Sequence, residues 1–270
     1  MLRQHPLVRL LALSLLAAAA PACSCNQEPP APPPVVEPAT DTVTLLGRVV
    51  DEANAAVGGA RVSVGSAQAK TNDDGRFFLA APVAAAGTLA PVRVEADGFV
   101  PVERAADLSG KMRWQQLGTV WLPRAAATAQ VQPGTATTLS DPASGLSVTV
   151  PAGAFSQAVT VRAALLDTSE PFFAELALPT RLPRPDNGAV ALIFGLNLDA
   201  EGLQPSSPIA VTLPPPSTLP KGLSIPVGRF DPAAGAWVDA GAAVVGDDGK
   251  LALSVAHLST YAAALPAVPA

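Results

Sequence analysis

No cysteine follows residue 25, and the two present, Cys23 and Cys25, share one short segment near the N-terminus. Neither can staple anything downstream, so the chain folds without a disulfide framework. A Cys-x-Cys pair with no histidine beside it also falls short of a metal site. Histidine is equally scarce, with His5 and His257 the whole supply. No H-x-x-E or H-E-x-x-H pair exists, which excludes a zinc peptidase. A Ser-His-Asp set would have to use His257, and no G-x-S-x-G elbow presents a serine. No Lys/Arg cluster offers the basic footprint of a nucleic-acid binder. Helix formers such as Glu, Lys, Gln and Met are few, which argues against a helical fold.

Proline and glycine are plentiful, at 29 and 21 of 270 residues. Between them recur short runs rich in Val, Thr and Leu, the pattern of an all-β chain. The length leaves room for about two domains. At the N-terminus, Arg3 and Arg9 flank a short basic region, and "LLALSLLAAAA" (Leu10 to Ala20) is too short to span a bilayer comfortably. The run ends in small residues, "APAC", at Cys23. "NQEPPAPPPVVEPATD" (Asn26 to Asp41) follows, rich enough in proline to prefer extended polyproline II and too poor in apolar residues to build a core. It reads as a disordered, stiff tether.

Two blocks of alternation come next. In the first, "TVTLLGRVVD", "GGARVSVG" and "QLGTVWLP" each read as a strand, and "PVRVEADGFVPVER" as a strand pair around Asp97-Gly98. "AQAKTNDDGRFFLA" reads as a hairpin turned by Asp74-Gly75. In the second, "TATTLSDPASGLSVTVPAGAF" reads as a hairpin turned over Pro142 to Gly145, and "QAVTVRAALLD" as a strand. A polar loop from Thr168 to Gly188 separates these from "GAVALIFGLNLDAEGLQPSSPIAVTLPPP", two strands joined by a turn. Four closely spaced strands close the chain and end in "SVAHLSTYAAAL". Within a strand, His257 and Ser259 would share one face and Leu258 the other.

These residues carry resemblances. The end at Cys23 resembles the lipobox of bacterial lipoproteins, although Ala20 stands where leucine is usual. That resemblance implies a signal peptide over 1–22, cleavage before Cys23, and lipidation of Cys23 in a tether spanning 23–42. An ordinary secretory signal cut near Ala22 is the alternative. Loss of residues 1–22 removes Arg3 and Arg9, leaving 15 cations against 22 acids, a net charge of about −7. Such a charge does not attract anionic lipid, so attachment would rest on acyl chains. Ser24, rather than Asp, after the modified cysteine is compatible with sorting to the outer membrane.

The frame Gly47, Val49, Asp51, then Gly59-Ala60, Thr71 to Leu79 and Val92 to Phe99 resembles the carboxypeptidase regulatory-like domain. This resemblance implies a transthyretin-like β-sandwich over 43–124, akin to starch-binding sandwiches and usually non-catalytic. "VTVPAGAF", "SSPIAVTLPPP", "GRFDPAAGAWV" and "AHLSTYA" resemble ZU5-like domains, implying a second sandwich over 132–265. The expected architecture is thus all-β, with two tandem β-sandwiches after a signal segment and a Pro-rich tether.

The expected role is a non-catalytic module of the bacterial envelope, anchored to the membrane by lipid, with an envelope protein or a glycan as partner. No cofactor and no metal is implied. The second resemblance carries an alternative, since some such domains cut themselves. Ser259 would then attack the Leu258 carbonyl, with His257 taking the hydroxyl proton. A carbohydrate-binding module is the other alternative, and Trp114, Trp121, Trp237 and Tyr261 are the aromatics available to it. Asp73-Asp74 and Asp247-Asp248 lack the further oxygen ligands of a Ca²⁺ site and read as turns.

Overall fold

The computed structural model describes residues 42–85, 89–166, 168, 178–182, 190–214 and 219–266. Cys23, the signal segment, the tether up to 41 and most of the 168–188 loop lie outside the described residues. All regular structure among the described residues is β, and residues 39–270 form one compact unit.

The first seven strands make two small sheets. One has three strands: β1 (Thr42–Val50), flanked by β4 (Arg76–Pro82) and, in parallel, by β7 (Trp114–Trp121). The other has four, in the order β3 (Ala67–Lys70), β2 (Arg61–Val64), β5 (Leu89–Glu95) and β6 (Val102–Asp107). Alternation drives the packing. Val43, Leu45 and Val49 of β1, Phe77 and Leu79 of β4, and Val62 and Val92 of the second sheet share one buried core.

The segment over 67–80 differs from the expected hairpin. β3 pairs with β2 and β4 pairs with β1, so the chain crosses from one sheet to the other at Asp74-Gly75. Only Gly75 of the two has a positive φ, at 75°. A Cβ there would lie 2.3 Å from the Val49 carbonyl oxygen, so no other residue fits the crossing. Thr71 fixes its start by donating to the Val57 carbonyl (2.7 Å) and accepting from the Ala60 amide (2.8 Å).

The other ten strands form one sheet, in the order β8 (Ala127–Val131), β11 (Val159–Leu166), β12 (Val190–Asp199), β17 (Thr260–Pro266), β14 (Ser224–Asp231), β15 (Ala236–Val245), β16 (Leu251–Val255), β13 (Ile209–Leu213), β10 (Leu146–Val150) and β9 (Thr137–Asp141). The sheet folds over at β15, of which only Val244 and Val245 pair with β16. The two halves close on a core that includes Val148, Leu196, Ile209, Ile225, Leu251 and Tyr261. β12 and β13, consecutive in the chain, therefore lie in opposite halves rather than joined by a simple turn. The β9–β10 hairpin forms as expected, with Gly145 at φ 71°.

Asp51 ties the end of β1 to the link between the two cores. Its Oδ1 accepts from the Ala53 (3.0 Å) and Ala55 (2.9 Å) amides, and its Oδ2 accepts from Arg124 Nη2 at 2.9 Å. The Arg124 guanidinium also sits over the Phe99 ring, 4.9 Å from its centroid. Burial opposes the Asp51 charge, yet the Ala55 amide, Arg124 and the Ala53 amide hold its carboxyl below the ordinary value of 3.8. A depressed carboxyl stabilises the fold fully above its unfolded pKa and loses that contribution as pH falls through the folded one. Asp51→Ala is predicted to lower stability at neutral pH by about 1–3 kcal/mol. Below about pH 4 the difference from wild type should shrink, as read by denaturant unfolding at both pH values.

Candidate functional site

The break between β16 and β17 holds the residues singled out for self-cleavage. β16 pairs with β13 and β15, whereas β17 pairs with β12 and β14, so the chain must change halves between Val255 and Thr260. His257, Leu258 and Ser259 form that crossing and do not lie in the final strand. Alternation consequently does not govern them: His257 is exposed, Leu258 is buried and Ser259 is half-buried.

The crossing is held by groups far away in sequence. Gln204 spans the Leu258 peptide, its Oε1 accepting from the Leu258 amide (2.7 Å) and its Nε2 donating to the Leu258 carbonyl (3.2 Å). The Ser259 hydroxyl donates to the Phe230 carbonyl at 2.9 Å, and the Leu198 amide donates to the Ser259 carbonyl at 3.0 Å. The Tyr261 hydroxyl donates to the His257 carbonyl at 2.5 Å. Burial pushes that phenol up to about 12, partly offset by the Arg229 charge. Attack on the Leu258 carbonyl would need the Ser259 proton to pass to His257. That proton is committed to Phe230, and the His257 ring makes no hydrogen bond among the described residues. None of the three residues has a left-handed φ.

Gln204 is itself positioned by Asp199 at the end of β12. The Asp199 carboxylate accepts from the Glu201 amide (Oδ2, 2.9 Å) and the Gly202 amide (Oδ1, 3.4 Å), turning the chain through Glu201 at φ 53°. The same carboxylate receives Arg93 Nη2 from β5 at 2.6 Å, with Arg162 Nη1 at 3.6 Å. Arg93 Nε also meets Glu95 at 3.0 Å, and Arg61 pairs with Glu95. A chain of alternating charge therefore runs Arg61, Glu95, Arg93, Asp199, Arg162 from the first core to the second. Burial opposes the charge on Arg93, but Asp199 and Glu95 hold its pKa above the ordinary arginine value. Burial pushes the nearby Glu103 carboxyl up, with Arg93 acting against the shift. A cavity of about 60 Å³ lies between Arg93, Glu103, Asp199, Gln204 and Ser259, and a wider cleft of about 600 Å³ opens beside it along Arg61, Lys70 and Glu95.

Sequence reasoning reached His257, Leu258 and Ser259 but missed Gln204, Asp199 and Arg93. "DAEG" at Asp199 to Gly202 is a legible turn signal of an acid before a left-handed step. Nothing local marks Gln204 or Arg93. Of the aromatics weighed for sugar, Tyr261 is buried. Trp237 packs edge-on against Phe230 (5.9 Å between centroids) and donates Nε1–H to the Thr180 carbonyl. Trp121 is half-buried, and Trp114 is 59% exposed. Asp73-Asp74 and Asp247-Asp248 lie at turns, and no group of three metal-ligating side chains occurs among the described residues.

Gln204→Ala is predicted to leave both polar groups of the Leu258 peptide without their protein partner. It should cost about 1–3 kcal/mol in denaturant unfolding and speed exchange of the Leu258 amide.

No family model and no curated protein matches this chain. Among solved structures it is similar to two interface mutants of a type II cohesin–X-dockerin complex from Acetivibrio cellulolyticus. Identities are 18% and 20% and the TM-score is 0.26 for each, over 31% of this chain and 59% of theirs. It therefore spans less than two thirds of those relatives' length. It is also similar to a candidate membrane-associated protein of unknown function from Bacteroides fragilis, at 10% identity and a TM-score of 0.26, over 84% of this chain and 98% of that one. At such TM-scores neither fold nor function is transferred.

Proposed function

We propose that this chain is a non-catalytic module of the bacterial cell envelope, held at the membrane through lipidated Cys23 and serving in binding, adhesion or surface architecture. The lipobox-like end and the Pro-rich segment support the anchor and tether, and Ser24 supports placement at the outer membrane. The carboxypeptidase regulatory-like and ZU5-like resemblances support two binding sandwiches, with an envelope protein or a glycan as partner. The observation that carries the non-catalytic reading is the Ser259 hydroxyl bond to the Phe230 carbonyl, which directs the proton away from His257. A self-cleaving domain is the second reading, favoured by one contact: Gln204 Nε2–H lies on the Leu258 carbonyl, where an oxyanion would form.

Two measurements test this reading. Cys23→Ala is expected to move the protein from the membrane fraction to the soluble fraction, and unchanged fractionation would contradict the anchor. Intact mass spectrometry of the purified protein is expected to show an uncut C-terminus. A fragment beginning at Ser259 would transfer the assignment to self-processing.

A further inference from the structure

The outer face of the three-stranded sheet is assembled in three cross-strand rows. Register places Ala80, Thr44 and Trp114 in one row, Phe78, Leu46 and Gln116 in the next, and Arg76, Arg48 and Thr119 in the third. Their inward neighbours Phe77, Leu79, Leu45 and Val120 fill the core, so these nine residues face away from it. Phe78 is 70% exposed and Trp114 is 59% exposed, an unusual outlay of aromatic surface in a chain that is only 4% aromatic. Strand spacing sets the two rings roughly 10 Å apart across the sheet and about 7 Å along it. They can thus meet separate units of an extended ligand.

Arg48 and Arg76 stand directly opposite each other on adjacent strands, an arrangement that like charges disfavour. Neither forms an ion pair among the described residues, although the chain as a whole is acidic. Arg48 Nε donates to the Asp74 carbonyl at 3.1 Å, which fixes the guanidinium and leaves its terminal nitrogens unpaired. The two arginines flank a groove of about 360 Å³ with Phe78, Gln116 and Thr119. Beneath this face, inward-facing Gly47 leaves room for the buried Phe77 ring: a Cβ there would come within 2.9 Å of that ring and 2.8 Å of the Gly118 carbonyl.

The geometry points to an acidic-glycan site on this face: sugar rings lie on Phe78 and Trp114, and a carboxylate of the sugar chain lies between Arg48 and Arg76. Aromatic faces accept the C–H side of a sugar ring, planar guanidinium and amide groups meet its oxygens, and the opposed cations supply the complement to its charge. The assignment rests on the reading of the chain as a binding module and names its ligand class and surface.

The test is titration of the full chain with polygalacturonate, alongside dextran as a neutral glycan, polyglutamate as a non-sugar polyanion, and vesicles of phosphatidylglycerol. Polygalacturonate is expected to bind and to weaken with salt. Phe78→Ala and the double change Arg48→Gln with Arg76→Gln should each weaken it at least about tenfold, whereas Lys221→Gln should not. Because these side chains are at the surface, thermal midpoints should be kept. Hydroxyl-radical footprinting of the wild-type protein, which needs no variant, should show protection at Phe78 and Trp114. Absence of polygalacturonate binding, equal binding of polyglutamate, binding of vesicles alone, or binding indifferent to these substitutions would each overturn the assignment. None of those results would touch the anchored-module reading, which Cys23→Ala fractionation tests separately.

Discussion

The ion pair between Arg93 and Asp199 is the contact on which the rest of the arrangement depends. It joins β5 of the first core to the end of β12 in the second, with the two side chains 25% and 5% exposed. A pair so placed adds little net stability over a well-packed apolar contact, and because Asp199 keeps Arg162 and two amides while Arg93 keeps Glu95, removal of one partner costs less than the about 3–5 kcal/mol of a fully uncompensated buried charge. Its worth lies in orientation. Asp199 holds Arg93 with one oxygen and the Glu201 turn with the other, and that turn delivers Gln204 to the Leu258 peptide. The clamp between the cores and the lock on the last strand crossing thus share one carboxylate.

Local signals carried the secondary structure well. Alternation located most of the strands and turn chemistry located the β9–β10 hairpin and the β5–β6 pair around Gly98. What the sequence did not carry was partnership. Asp74-Gly75 has the composition of a hairpin turn, yet it joins two sheets, because β1 already lies beside β4 and β2 beside β3. The same limit explains His257 to Ser259. Their alternation looks like a strand, but β16 and β17 belong to opposite halves of a folded sheet, and the chain must break register to cross. Gln204, 54 residues from Leu258, leaves no local trace of its role, and neither does Arg93.

The residues that carried the first family resemblance have structural work to do. Gly47 permits the close approach of β7, Asp51 closes the loop after β1, Thr71 and Gly75 set the crossing between sheets. They hold the core of the first unit, beneath its outer face. That face carries the exposed rings and the opposed arginines, whereas the reactive-looking motif at the C-terminus is taken up by hydrogen bonds that hold the fold. The reactive-looking residues and the proposed binding face therefore lie on different parts of this molecule.

A double-mutant cycle on Arg93 and Asp199 tests the clamp most directly. Arg93→Met, Asp199→Ala and the double change would be unfolded in denaturant alongside wild type. The account predicts one cooperative transition in the wild type and a coupling energy above about 1 kcal/mol between the two sites. Additive effects, with the two cores melting in separate transitions, would contradict it.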